Sequence, residues 1–300
     1  MAATNVSRGI QSHPYTLDSL NELPRPLLGL ATRHLPPGQQ VEEVLVVPPE
    51  TYPRSYRRRP SPLQALVFTG QGMLHVAAGD EQDGPGSGQW IPVDQVFKVR
   101  LSLILLYGKL EVWGEHNGKV NKFEVEYNTV AHLLLARGLR AFLRKTWEPN
   151  PPAGVGVAEP DSFQHFGSVA FGFYNGLREE ALHDGQKLLG YVYQPEIRRP
   201  WLKFFHKKVA PRLVAALSDQ QAILLSEDLA YKAHHEWIFT FCPLHRLLRL
   251  EEEPMQEWRQ VSICLQPDLP EERVRMVMEA EQAAAFRRTW VQAYPWLAGR

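Results

Sequence analysis

A chain of 300 residues with 44% hydrophobic and 22% charged side chains has the usage of a folded globular protein, and at roughly 100–200 residues per domain its length allows two domains. Its 33 basic and 33 acidic residues cancel, which argues against a nucleic-acid binder acting through its overall field and leaves any charged partner to be met by a local patch.

The N-terminal stretch Met1 to Gly9 has no apolar core followed by a small-residue cleavage site, and no run approaches the ~20 apolar residues of a membrane span. A cytoplasmic location is expected. Residues 1–35 read as a Pro-rich lead-in with one short amphipathic candidate from Leu17 to Leu30. Leu35-Pro-Pro-Gly38-Gln39 then leads into the apolar run Val44 to Val47 and into Pro49-Glu50. Leu63 to Val76 alternates around Thr69-Gly-Gln-Gly72, which predicts two short strands and a tight turn, and Gly79 to Gly88 is a polar, Gly-rich loop. Trp90-Ile-Pro-Val-Asp-Gln-Val-Phe-Lys-Val99 follows. The clearest hairpin runs from Lys109 to Tyr127 around Asn117-Gly118, a dipeptide suited to the positive φ of a type I′ turn. That turn sets Val112 opposite Phe123 and Leu110 opposite Val125, so apolar residues meet on one face. After it, Asn128 or Thr129 can cap a helix to about Lys145 whose apolar stripe is Val130, Leu133, Leu134, Ala141 and Phe142.

Glu148 to Pro160 is rich in Pro and Gly and reads as an extended linker. Phe163 to Leu182 is a second apolar-aromatic lead-in. Then the first pattern recurs: Leu182-His-Asp-Gly185-Gln186, the apolar run Leu188 to Tyr193, and Pro195-Glu196, at offsets of 185 − 38 = 147 and 195 − 49 = 146. Leu213 to Leu225 parallels Leu63 to His75, with Ser218-Asp219 standing where Thr69-Gly70 stands. Phe241 to Leu250 parallels Trp90 to Val99 at 243 − 92 = 151. Two copies of one small module fit this better than one large enzyme fold. Val261 to Leu265 reads as the final strand, Glu251-Glu252-Glu253 as a solvated charge run between strands, and about Glu271 to Ala293 as a long helix. That helix has an apolar face of Val274, Val277, Met278, Ala285, Trp290, Val291 and Tyr294, wider than the first helix needs.

An antiparallel sheet opened by Leu-x-x-Gly-Gln and a strand, with a strand midway at Ile91-Pro92-Val93 or Cys242-Pro243-Leu244 and one C-terminal amphipathic helix, resembles the pleckstrin-homology-like fold of bacterial proteins. The resemblance covers about residues 36–146 and 183–296. It implies an α+β, mostly β architecture of two tandem, partly open antiparallel β-barrels, each plugged by its helix. The domains would be 36–146 and 183–300, the second with an extended C-terminal helix, joined by 147–182. Proteins of this kind are generally not enzymes; they bind phosphoinositide head groups, phosphorylated peptides or other proteins, and the lipid-binding subset places basic residues in the loop joining its first two strands.

In copy one that loop holds Arg54, Arg57, Arg58 and Arg59; in copy two it holds Arg198, Arg199, Trp201, Lys203, Lys207 and Lys208. Guanidinium and ammonium groups of this kind take up phosphate or carboxylate oxygens, and near an anionic surface each is worth about 1 kcal/mol. The expectation is a non-catalytic scaffold that binds a protein or an anionic ligand through these loops and the surplus face of the last helix, without cofactor or metal. A peripheral membrane protein on anionic lipid is the second reading, and a hydrolase with its site between the copies the third. Against metal chemistry, His235-Glu236 lacks the second histidine of a zinc-protease helix because Phe239 stands there. Cys242 and Cys264 sit in apolar runs, where a buried inert thiol is the default.

Overall fold

The computed structural model describes residues 13–50, 61–79, 85–104, 106–116, 118–145, 162–182, 185–202, 205–227, 237–266 and 272–298. It is a mostly β protein with several antiparallel sheets, and among the described residues no sheet closes into a barrel. Among the described residues no helix is long and apolar enough to cross a membrane. The chain divides into two compact units: Met1–Gln95 with Leu105–Thr146, and Val96–Ile104 with Trp147–Arg300.

The first unit opens with β1 (Tyr15–Leu17) and α1 (Arg25–His34), so the lead-in candidate at Leu17 to Leu30 resolves into a strand and a later helix. Pro26 in the first turn of α1 sets that start, since a proline there loses no helical hydrogen bond. β2 (Val41–Val47), β3 (Gln64–Thr69), β4 (Gly72–Ala77) and β5 (Ser87–Pro92) follow, and the sheet order is β1-β2-β3-β4-β5. Val44, Val46, Ala65, Val67, Leu74 and Val76 form its core with Leu27 and Ala31 of α1. The hairpin of β7 (Tyr107–His116) and β8 (Lys119–Tyr127) carries the register read from the sequence, Val112 against Phe123 and Leu110 against Val125, with Gly118 at φ 71°.

Asn128 caps a short 3-10 turn by accepting from the amide of Val130, and α2 (His132–Lys145) follows. Its buried face is Leu135, Ala136, Leu139, Phe142 and Leu143, whereas Val130 and Leu133 are 67% and 78% exposed. The expected stripe is thus rotated. Leu133, Leu134 and Leu135 offer neighbouring stripes at helical spacing, and the seat of Phe142 against Phe68 of β3, with ring centroids 6.3 Å apart, selects among them.

In the second unit, α3 (Ser162–Val169), α4 (Phe171–Asn175) and a π-helical turn (Gly176–Ala181) precede β9 (Leu188–Gln194). β10 (Ile197–Leu202) and β11 (Phe205–Ala210) form their own hairpin. β12 (Leu213–Ser218), β13 (Gln221–Glu227) and β14 (Trp237–Pro243) come next, and the strand order runs β6-β14-β13-β12-β9. β6 is Val96–Ile104, a strand from the first repeat that pairs with β14: Val99 faces Phe241, Leu101 faces Phe239 and Leu103 faces Trp237. A second sheet holds β15 (Leu247–Met255), β16 (Trp258–Leu265) and β17 (Val274–Glu279), and α5 (Ala280–Ala293) closes the unit.

β17 corrects two expectations. Val261 to Leu265 is not the last strand, and the final helix is not extended: α2 and α5 both span 14 residues. Val274, Val277 and Met278 satisfy helical spacing, but Met276 and Met278 also alternate with exposed Arg275 and Glu279, and β16 offers a free edge whose ladder bonds settle the choice. The surplus apolar face therefore disappears. Its first three members belong to a strand, and α5 buries Ala283, Phe286 and Trp290 into its own unit. Glu251, Glu252 and Glu253 likewise lie within β15 rather than between strands.

The repeat has a shared physical core. Gly38 and Gly185 sit at φ 81° and 87°, left-handed conformations that cost a side-chain-bearing residue about 1 kcal/mol. In the first repeat the Thr69 hydroxyl accepts from the amides of Gln71 and Gly72 and donates to Gly72 O or to the Gln39 side chain. In the second, the Ser218 hydroxyl accepts from Gln220 and Gln221 and donates to Gln221 O, and Gln186 accepts from the Gln221 side chain. The Gly-Gln pair is therefore a clasp: glycine turns the chain, and glutamine ties it to the next hairpin. The amides of Val93 and Leu244 then bond to Gln71 O and Gln220 O, which places a 3-10 turn at Val93–Gln95 and at Leu244–Arg246.

Candidate functional site

The connection from β9 to β12 is where the second repeat departs most from a plain turn. Instead of the expected loop it is an antiparallel arm, β10 and β11, with register shifts flanking Arg198 and Pro200. Pro200 breaks no wider ladder, because the arm is a two-stranded sheet with edges on both sides. Its root is apolar: Ile197, Ala210 and Trp258 are buried together, with Val209 and Val277 against them.

Above the root the arm is basic. Arg198 stands opposite Lys208, and Arg199 opposite Lys207. Like charges across a strand pair repel, and the arm offsets this with one carboxylate. Glu196 accepts from Arg198 Nε and, at 2.8 Å, from Lys208 Nζ. Partial burial would raise the Glu196 pKa, but the hydrogen bonds from Lys208 and Arg198 outweigh it and hold the carboxyl below its ordinary value. Arg199 reaches the side chain of Gln256 at 3.3 Å. Gln256 lies in the β15–β16 turn at φ 57°. Lys207 is exposed.

Of the basic residues singled out in the sequence, Arg198, Arg199, Lys207 and Lys208 are thus gathered on one arm. Two of them, Arg198 and Lys208, are committed to Glu196, so the patch is smaller than the residue list implied. Lys203 and the side chain of Trp201 fall outside the described residues, as do Arg54, Arg57, Arg58 and Arg59 of the first repeat. The linker at 148–160 and the His235-Glu236 pair also lie outside them. Sequence reasoning missed Gln256 as a partner, and nothing local to residue 256 signals it.

Two other places hold polar groups. A shallow depression of about 310 Å³ in the first unit is lined by Pro92, Asp94, Gln95, Glu115, His116 and Gly118. Beneath the β7–β8 hairpin, buried His75 is held by Gln64 at 2.9 Å and stacked on Phe123. Burial pushes its pKa down to about 4 against a small opposing pull from Glu124. Among the described residues no group of His, Cys, Asp or Glu is arranged to hold a metal. Both thiols are buried; burial pushes Cys242 up to about 12 and, with Glu251 nearby, Cys264 up to about 11, far from a reactive thiolate. The sequence matches no protein-family model and no curated protein.

Proposed function

We propose that the chain is a non-catalytic binding protein of two pleckstrin-like modules, in which the β10–β11 arm engages an acidic protein surface. In favour of the modules is the element order. Each repeat runs through four strands, a 3-10 turn, three strands and a helix: β2 to β5, β6 to β8 and α2 in the first; β9, β12 to β14, β15 to β17 and α5 in the second.

The observation that carries the binding site is the arm itself. Glu196 takes up Arg198 and Lys208, while Arg199 meets the neutral side chain of Gln256 and Lys207 is exposed, which offers the Arg199 and Lys207 charges to an outside anion on a hairpin rooted in apolar packing. Carboxylates fit these groups through charge-assisted hydrogen bonds. The test uses the full chain with polyglutamate and with vesicles of neutral or anionic lipid, at low and raised salt. The expected result is polyglutamate binding that weakens with salt and falls at least threefold in Arg199→Ser/Lys207→Ser. Pelleting with anionic vesicles that the same substitutions abolish would transfer the site to the membrane, and unchanged binding would remove the arm as the site. The parallel variant Arg57→Ser/Arg58→Ser/Arg59→Ser reads the contribution of the first repeat.

A further inference from the structure

The junction between β6 and β14 joins the fifth strand of the first repeat to the fourth strand of the second, and the repeat that creates it also leaves its counterpart open. Moving each strand by the 151-residue offset that relates Pro92 to Pro243 converts β6 into β15 and β14 into β5. Among the described residues β15 and β5 are edge strands of their sheets. They are therefore the two halves of the same junction, one at each end of the repeat. A second copy of the chain could in principle add its β5 to this β15 and continue head to tail, an association that does not close on itself.

We propose that Glu252, Glu253 and Pro254 bar that recurrence and keep the chain from assembling edge to edge. In β6 the corresponding residues are Leu101, Ser102 and Leu103, set against Phe239, Ile238 and Trp237. Leu101, Ser102, Phe239 and Ile238 are all buried there. The same register carried to the open junction sets Glu252 against Gly88 and Glu253 against Ser87 of an incoming chain, beside Leu250 against Trp90. Glu252, Glu253, Pro254 and Met255 are exposed. Glu252, ion-paired with Arg259 at 3.2 Å, and Glu253 would have to shed water against a glycine and a serine that offer no further counter-charge, and proline removes a ladder donor. Charge and proline on an exposed edge are the usual means by which β proteins prevent such pairing. The acidic run, which the binding reading leaves without a role, is accounted for by its place in the duplicated junction.

The experiment grafts the β6 residues onto β15 as Glu252→Leu/Glu253→Ser/Pro254→Leu, leaving Glu251 with its partners Arg249 and Arg273. Mass is read by light scattering from 5 to 200 μM against the wild type, with thermal unfolding as the check on folding. The graft is expected to raise the average mass at least twofold over this range. Adding Ser87→Glu/Gln89→Glu, which sets new acids before Glu251, should return it to the wild-type value. A graft no larger than wild type overturns the proposal. So does a graft whose association ignores the β5 acids, because added leucines then aggregate without the junction, and so does a wild-type assembly that the β5 acids dissolve.

Discussion

β6 and β15 occupy the same slot in the two repeats, begin after the same 3-10 turn and have the same length, yet one is buried along most of its course and the other exposed along its second half. Their sequences differ accordingly: Arg100-Leu-Ser-Leu103 against Glu251-Glu-Glu-Pro254. Up to that point the slots agree, since Val96, Phe97 and Val99 match Leu247, Leu248 and Leu250. What a duplicated strand carries beyond its turn is thus set by its neighbour. A strand with a sheet partner on its edge selects apolar residues, and one without selects charge and proline.

The largest expected effect comes from breaking the buried member. Phe97 is fully buried in β6, and Phe97→Ala should cost about 3–5 kcal/mol in denaturant unfolding. Glu252→Ala on exposed β15 should stay within about 0.5 kcal/mol. Comparable losses at the two sites would mean that β15 is covered.

A second contrast is chemical. Gln64 and His75 of the first repeat correspond to Leu213 and Leu224 of the second, so a polar pair in one core is aliphatic in the other. Because His75 stays neutral in the folded chain to about pH 4 while the unfolded chain takes up its proton near 6.5, stability is lost as pH falls through that window and levels off below it. The full loss is about 3 kcal/mol. Gln64→Leu/His75→Leu should remove this acid limb, and urea midpoints measured from pH 7.5 to 4 would show it; an unchanged slope would exonerate His75.

Smaller losses than those of Phe97 and His75 fall where the repeats agree. Thr69→Ala and Ser218→Ala each remove a hydroxyl that accepts from two amides, and each should cost about 1–2 kcal/mol. A gap of more than about 1 kcal/mol between the two would show that the clasp is no longer equivalent in the two repeats.

Local chemistry made several elements legible. The Asn117-Gly118 turn fixed the β7–β8 register because a two-residue hairpin leaves one alignment that pairs apolar faces. The Thr69 and Ser218 turns were legible because a short polar break between alternating runs has few other uses. The arm's cations were visible as residue types, and Glu196 stands only two residues before Arg198, but its bridge to Lys208 across the hairpin and the bond of Arg199 to Gln256, 57 residues away, leave no local signal.

By itself the sequence determined the mostly β composition, the β7–β8 register, the turns at Thr69 and Ser218 and the burial of both cysteines, all of which follow from patterns within a couple of dozen residues. Only the tertiary structure decided that Val274–Glu279 is a strand, which stripe of α2 is buried, and that β6 pairs with β14 of the second repeat. Each of these depends on a free sheet edge or a packing seat supplied by distant residues, and a partner that lies elsewhere in the chain cannot be read from the segment that seeks it.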